Sequence, residues 1–166
     1  MNKEELIEKL TNEGIRVEIL KAIEKVDRKN FVSEKILNEV YEDHPLSIGY
    51  GQTISQPYTV AFMLQELELK KGDKVLEIGT GSGWNAALIS HIVGEKGKIY
   101  SVEIVKELAL EAKEKLKNYK NIVVLNADAS HGLAEYAPYN KIILTAAPKK
   151  IAEEFREQLA EGGILL

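Results

Sequence analysis

Along the N-terminal part of the chain, apolar positions recur at helical spacing, first Leu6, Ile7 and Leu10, then Val17, Leu20 and Ile23. The pattern predicts helix from Glu4 to roughly Asn38, broken at Asn12-Glu13-Gly14. The stretch from His44 to Pro57 is rich in turn residues and reads as neither amphipathic helix nor clean strand. Long irregular segments inside compact domains are usually functional, and its Ile and Leu content argues against disorder. Pro57 suits a first helical turn, and Val60, Met63, Leu64 and Leu67 carry a helix that closes at Lys70-Lys71-Gly72-Asp73.

Beyond that point strands and helices alternate. Strands are expected at Lys74–Ile78, Lys98–Glu103, Ile122–Asn126 and Lys141–Thr145, and helices at Trp84–Val93, Val105–Lys117 and Ile151–Leu159. Gly162-Gly163 opens a final apolar run, Ile164-Leu165-Leu166. Such alternation predicts a doubly wound α/β fold, a mostly parallel sheet covered on both faces, with active residues at the carboxyl ends of its strands. The chain ends inside that apolar run. An uncovered sheet edge is unusual, so further C-terminal strands are expected.

Composition narrows the function classes. The chain has 166 residues, 45% of them hydrophobic, enough for one domain with a sizeable core. A net charge of -4 argues against a broad basic surface for nucleic acid. The absence of Cys excludes disulfides, thiolate metal sites and cysteine nucleophiles. Lys3, Glu4, Glu5, Glu8 and Lys9 interrupt the N-terminal apolar residues, which rules out a signal peptide or membrane span there. The expectation is a cytoplasmic monomer with neither nucleic acid nor membrane as partner.

The candidate chemistry begins at Leu76-Glu77-Ile78-Gly79-Thr80-Gly81-Ser82-Gly83, where the first strand of the alternating part turns into a helix. Glycines there give a ligand close access to backbone. The spacing is Gly-x-Gly-x-Gly, and the third glycine of a dinucleotide fingerprint is replaced by Trp84 or a later residue. A pyrophosphate needs a glycine-opened helix N-terminus, whereas the methionine portion of S-adenosylmethionine carries no phosphate and needs only backbone room. Glu103 lies about 20 positions on, where a carboxylate can accept both ribose hydroxyls. A tight turn and an ordinary helix N-terminal carboxylate are the plainer readings of these two features.

Three motifs carry a family resemblance: Tyr41-x-Asp43-x-Pro45-Leu46-x-Ile48-Gly49, Gln52-Thr53-Ile54-Ser55-x-Pro57, and Val75 to Gly83. With Arg28-x-x-Phe31 upstream and Thr145-Ala146-Ala147, Gln158-Leu159 and Gly162-Gly163 downstream, the chain closely resembles the protein-L-isoaspartate O-methyltransferases. The resemblance implies the Rossmann-like fold of S-adenosylmethionine-dependent methyltransferases. Residues 1–56 would form a helical section covering substrate and cofactor, and residues 57–166 the core. It also implies methyl transfer to the α-carboxylate of L-isoaspartyl and D-aspartyl residues in peptides and proteins, with S-adenosylhomocysteine as product. The ester then collapses to a succinimide that reopens partly as normal aspartate.

By the same resemblance Ser55 is the active-site residue with Thr53 beside it, and Gln52, Thr53, Ile54 and Ser55 line the cofactor. Glu77, Gly79, Thr80, Gly81, Ser82 and Gly83 form the glycine segment, and Glu103 is the ribose carboxylate. Ala127-Asp128-Ala129 stands where the family usually has Gly-Asp-Gly, so Asp128 and Ala129 face the adenine side, and alanine there carries a steric cost if φ is positive.

A carboxylate substrate is already ionised at neutral pH, so its methylation needs alignment rather than a strong base. Hydroxyls such as Ser55 and Thr53 can hold it by hydrogen bonds. From composition alone, Ser55 reads first as N-cap of the helix that Pro57 begins, and it is the resemblance that reverses this. His44, His91 and His131 have no metal-ligand spacing; His44 is the one expected nearest to substrate. A methyltransferase of RNA or a small molecule, a cofactor-binding inactive core, and an NAD-dependent oxidoreductase remain as rival readings.

Overall fold

A computed structural model describes residues 1–146 and 151–166. Helix α1 (Lys3–Asn12) starts with a capping box, Asn2 Oδ1 accepting from Glu5 N and Asn2 N donating to Glu5 Oε2, and buries Leu6 and Leu10. Helix α2 (Val17–Lys25) buries Ile19, Leu20, Ala22 and Ile23. The helical section continues to Glu39, but after α2 it is made of two short 3-10 helices, Arg28–Phe31 and Glu34–Glu39, in place of a longer second helix.

The segment from His44 to Pro57 contains an antiparallel hairpin of β1 (Leu46–Gly49) and β2 (Gln52–Ile54), not the irregular stretch predicted. Gly49, Tyr50 and Gly51 all have positive φ at its turn, and the register shifts between Ser47 and Gly49. Strands of four and three residues are too short to display a period of two. Helix α3 (Pro57–Glu66) follows directly.

The rest alternates as expected: β3 (Lys74–Ile78), α4 (Trp84–Val93), β4 (Lys98–Glu103), α5 (Lys106–Leu116), β5 (Ile122–Asn126), β6 (Tyr139–Leu144), α6 (Glu154–Glu157) and β7 (Leu159–Leu165). The five strands are parallel, in the order β5-β4-β3-β6-β7. Order reverses beside β3, which makes the carboxyl end of that strand the place for a ligand. Helix α4 is apolar nearly all round because it lies between α2 on one side and β4 and β5 on the other.

The C-terminal part departs from expectation. Helix α6 has four residues rather than the stretch Ile151–Leu159, and β7 already begins at Leu159. Gly162, with positive φ, sits within β7 instead of opening it, and the β6–β7 register shifts between Tyr139 and Lys141. Glycine in a strand often marks such an irregularity. Ala147 of the motif Thr145-Ala146-Ala147 lies outside the described residues.

Candidate functional site

The carboxyl ends of β3, β4, β5 and β6 open into a cavity of about 380 Å³, within the size range of cofactor pockets. One wall is the loop after β3. Gly79 has φ +98°, and a Cβ there would lie 2.7 Å from Thr145 Oγ1 and 3.3 Å from Ala146 N. Thr145 Oγ1 donates to the carbonyls of Ile78 (2.8 Å) and Gly79 (2.5 Å), tying the end of β3 to the end of β6. Gly79 N and Thr80 N donate to Val102 O, which ties the same loop to β4.

Glu103, at the end of β4, is 5% exposed and lines the cavity. Its Oε2 accepts from Gly81 N at 2.8 Å and its Oε1 from Val105 N at 2.9 Å. Two backbone donors thus fix the carboxylate, and each oxygen keeps a lone pair for a ligand hydroxyl. Ile104 beside it is 68% exposed and forms an apolar shelf on the cavity wall. Just beyond β5, Asp128 lines the cavity with its carboxyl held below its ordinary value by hydrogen bonds from Ser130. Among the described residues the positive-φ positions other than glycine are Tyr50 and Glu68, so Ala127 and Ala129 carry no such strain. The expected steric cost of alanine in this segment is therefore absent.

The opposite wall is the β1–β2 hairpin. Gln52, Thr53, Ile54 and Ser55 all line the cavity, with Val60 and Met63 of α3 below them. The capping role open to Ser55 is filled otherwise. The N-cap of α3 is Gln56, without a side-chain cap, and the N-H of Tyr58 is taken by Asp43 Oδ1 at 2.9 Å. Burial pushes the Asp43 carboxyl up, but hydrogen bonds from Lys9 and Tyr58 N outweigh this and hold it below its ordinary value. Among the described residues the Oγ atoms of Ser55 and Thr53 have no hydrogen-bond partner, so both hydroxyls are available to a ligand.

Two expected site residues stand behind the wall rather than on it. Glu77 does not line the cavity and is fully buried. Its Oε1 accepts from Asn85 Nδ2 at 2.8 Å, its Oε2 accepts from Ser101 Oγ, and Ser101 Oγ meets Thr80 Oγ1 at 2.6 Å. Burial raises the Glu77 carboxyl from 4.5 to about 7. Gly83 is the N-cap of α4 with φ +88°, and a Cβ on it would sit 3.0 Å from Leu116 Cδ1. It serves the packing of α5 on the loop. His44 does not approach the cavity; it is exposed, with Nδ1 3.0 Å from Pro45 O.

The sequence reading missed Asn85, Ile104 and Thr145 as cavity residues. Asn85 left a signal, a polar side chain near the start of a helix that is otherwise buried except at His91. No group of three His, Asp or Glu able to hold a metal occurs among the described residues. The cavity brings together an anchored carboxylate, an apolar shelf and glycine-opened backbone.

A family model described as protein-L-isoaspartate(D-aspartate) O-methyltransferase matches residues 1–166. Relatives named protein-L-isoaspartate O-methyltransferase include that of Ignicoccus hospitalis, 49% identical over 99% of this chain and 80% of its own length. Another, from Fervidobacterium nodosum, is 47% identical over 97% of this chain and 82% of its own. A solved protein-L-isoaspartate O-methyltransferase superposes with TM-score 0.92 at 35% identity, covering 99% of this chain and 54% of that one. This chain thus spans about four-fifths of the two named relatives and about half of that solved chain. A Plasmodium falciparum protein assigned to the same activity, crystallised with S-adenosyl-L-homocysteine, gives 0.86 at 25% identity over 99% of this chain and 83% of its own.

Proposed function

The chain belongs to the protein-L-isoaspartate(D-aspartate) O-methyltransferase family, and from that premise we propose how its pocket serves the family's reaction. That reaction moves the methyl group of S-adenosylmethionine to the α-carboxylate of L-isoaspartyl and D-aspartyl residues in damaged proteins, leaving S-adenosylhomocysteine. When bound, the cofactor supplies an electrophilic methyl on a sulfonium. Gly79 and Gly81 give its amino-acid tail access to backbone, Glu103 takes the ribose hydroxyls, and Ile104 and Asp128 flank the base. Ser55 and Thr53 donate hydrogen bonds to the substrate carboxylate and aim one oxygen at the methyl.

The observation that supports this most is that the free hydroxyls of Ser55 and Thr53 share one cavity with the anchored Glu103. The described lining contains no Lys, Arg or His. Orientation of an ionised acceptor therefore falls to neutral donors, and such alignment alone lowers a barrier by several kcal/mol. The nucleophile needs no deprotonation, which matches a lining without a histidine base.

The same proposal places the enzyme in the cytoplasm as a monomer, without nucleic acid or membrane as partner. The net charge of -4 supports the first exclusion, and no described helix is long and apolar enough to cross a membrane. Labelled cofactor offered to an L-isoaspartyl peptide and to its L-aspartyl twin tests the reading. Methyl transfer to the isoaspartyl peptide and scarcely any to the twin is expected. Equal transfer, or transfer only to RNA, overturns it.

A further inference from the structure

Arg28 is 1% exposed, and nothing in the reaction as described uses it. It sits in the 3-10 helix after α2, whose first turn is anchored by Asp27 accepting from Lys29 N and from Tyr41 Oη at 2.8 Å. Its guanidinium makes no direct ion pair among the described residues. Instead Nη1 donates to Glu42 O (3.4 Å), and Nη2 is shared among His44 O (3.3 Å), Ile54 O (3.4 Å) and Ser55 O (3.1 Å). Its Cζ lies 5.2 Å from the centre of the Trp84 ring, and Trp84 Nε1 donates to Val26 O at 3.0 Å.

These contacts join the two walls of the cavity. Ile54 and Ser55 belong to the hairpin wall, while Trp84 is the first residue of α4, directly after the glycine loop. Both ends of the entering segment, Glu42 and His44, are held by the same cation. We infer that Arg28 is a positioning residue, setting the distance between the Ser55 hydroxyl and the cofactor loop through the carbonyls of Ile54 and Ser55 and the face of Trp84.

The cost of the arrangement argues against a role in stability alone. A buried charge answered by carbonyls, a ring and the more distant carboxylate of Asp43 is expensive, and among the described residues its Nε has no hydrogen-bond partner. An apolar side chain of similar length would fill the space without that penalty. A planar fork is the side chain able to reach several carbonyls and stack on a ring at once, which Lys cannot reproduce.

This inference rests on the reading that Ser55 holds the substrate carboxylate, so Ser55→Ala is measured beside Arg28→Met and Arg28→Lys. Turnover on saturating isoaspartyl peptide, S-adenosylhomocysteine affinity by calorimetry, and thermal melting are recorded for each. For Arg28→Met, turnover should fall roughly 10- to 100-fold, as small misplacements at a reacting centre do, while cofactor affinity stays within about twofold. Arg28→Lys, which keeps the cation and one donor group, should recover part of the loss, and it carries the test if the Met variant fails to fold. Equal losses of turnover and affinity in the folded variant would make Arg28 a general structural residue and overturn the inference. So would unchanged turnover in either Arg28 variant while Ser55→Ala is impaired. If Ser55→Ala itself turns over normally, the reading of Ser55 fails, and the inference with it.

Discussion

Replacing Glu77 by Gln should make the protein more stable at alkaline pH and leave it nearly unchanged in acid. The carboxyl is fully buried, and burial raises it from 4.5 to about 7. Folding therefore favours the protonated form by about 3 kcal/mol, at about 1.4 kcal/mol for each pH unit. In that form Glu77 keeps its hydrogen bond from Asn85 Nδ2 and donates its own proton to Ser101 Oγ, which can then donate to Thr80 Oγ1. This contribution is complete below the unfolded value of 4.5 and fades as pH rises through about 7. Gln presents the same donor and acceptor at every pH. Urea unfolding of both proteins between about pH 5 and about pH 8 should show a small difference at the acid end that widens towards about 3 kcal/mol in favour of Gln. Other carboxylates titrate in both proteins and cancel. A difference that stays constant over that range would refute the argument, because it would mean that Glu77 does not titrate between the two limits.

Two further substitutions probe the pocket wall. Glu103→Gln exchanges one carboxylate oxygen for an amide nitrogen that faces a backbone donor, either Gly81 N or Val105 N. Loss of hydrogen bonds to a charged acceptor costs roughly 1.5–3 kcal/mol, so S-adenosylhomocysteine affinity by calorimetry should drop about 10- to 100-fold; affinity within about twofold of the parent would remove Glu103 as the ribose ligand. Gly79→Ala forces a side chain into φ +98° and a Cβ to 2.7 Å from Thr145 Oγ1. It should lower stability by roughly 1–3 kcal/mol in urea, and an unmoved midpoint would show that the loop yields freely.

How much of this was legible in the sequence depends on where each residue's partners lie. The strand and helix that carry the glycine loop read correctly because both are apolar runs bounded by turn residues, Gly72-Asp73 before the strand, the glycines between them and Gly94 after the helix, and Glu103 followed from its spacing after the loop. Glu77 and Gly83 share the motif with Gly79 and Gly81 but do not line the cavity, because Glu77 is held behind the loop by Asn85 and Ser101 and Gly83 packs against Leu116 of α5. Sequence adjacency alone cannot separate the residue that meets a ligand from the one that braces it.

The hairpin wall was the least legible part, and the reason is physical. Ser55 stands just ahead of a helix that starts with proline, so local chemistry favoured a cap. The helix instead took its acceptor from Asp43, fifteen residues before the donor it satisfies. That exchange released the Ser55 hydroxyl to the cavity, and no local pattern records it. Arg28 is a stronger case of the same kind. Its partners are backbone carbonyls of four residues and one ring, none of which constrains the side chains at positions 42, 44, 54 and 55. An interaction that reads mainly backbone leaves little complementary residue type to search for. Sequence reasoning therefore identifies the residues with chemistry to offer, while the residues that hold them in register emerge only when non-local backbone partners are placed beside them.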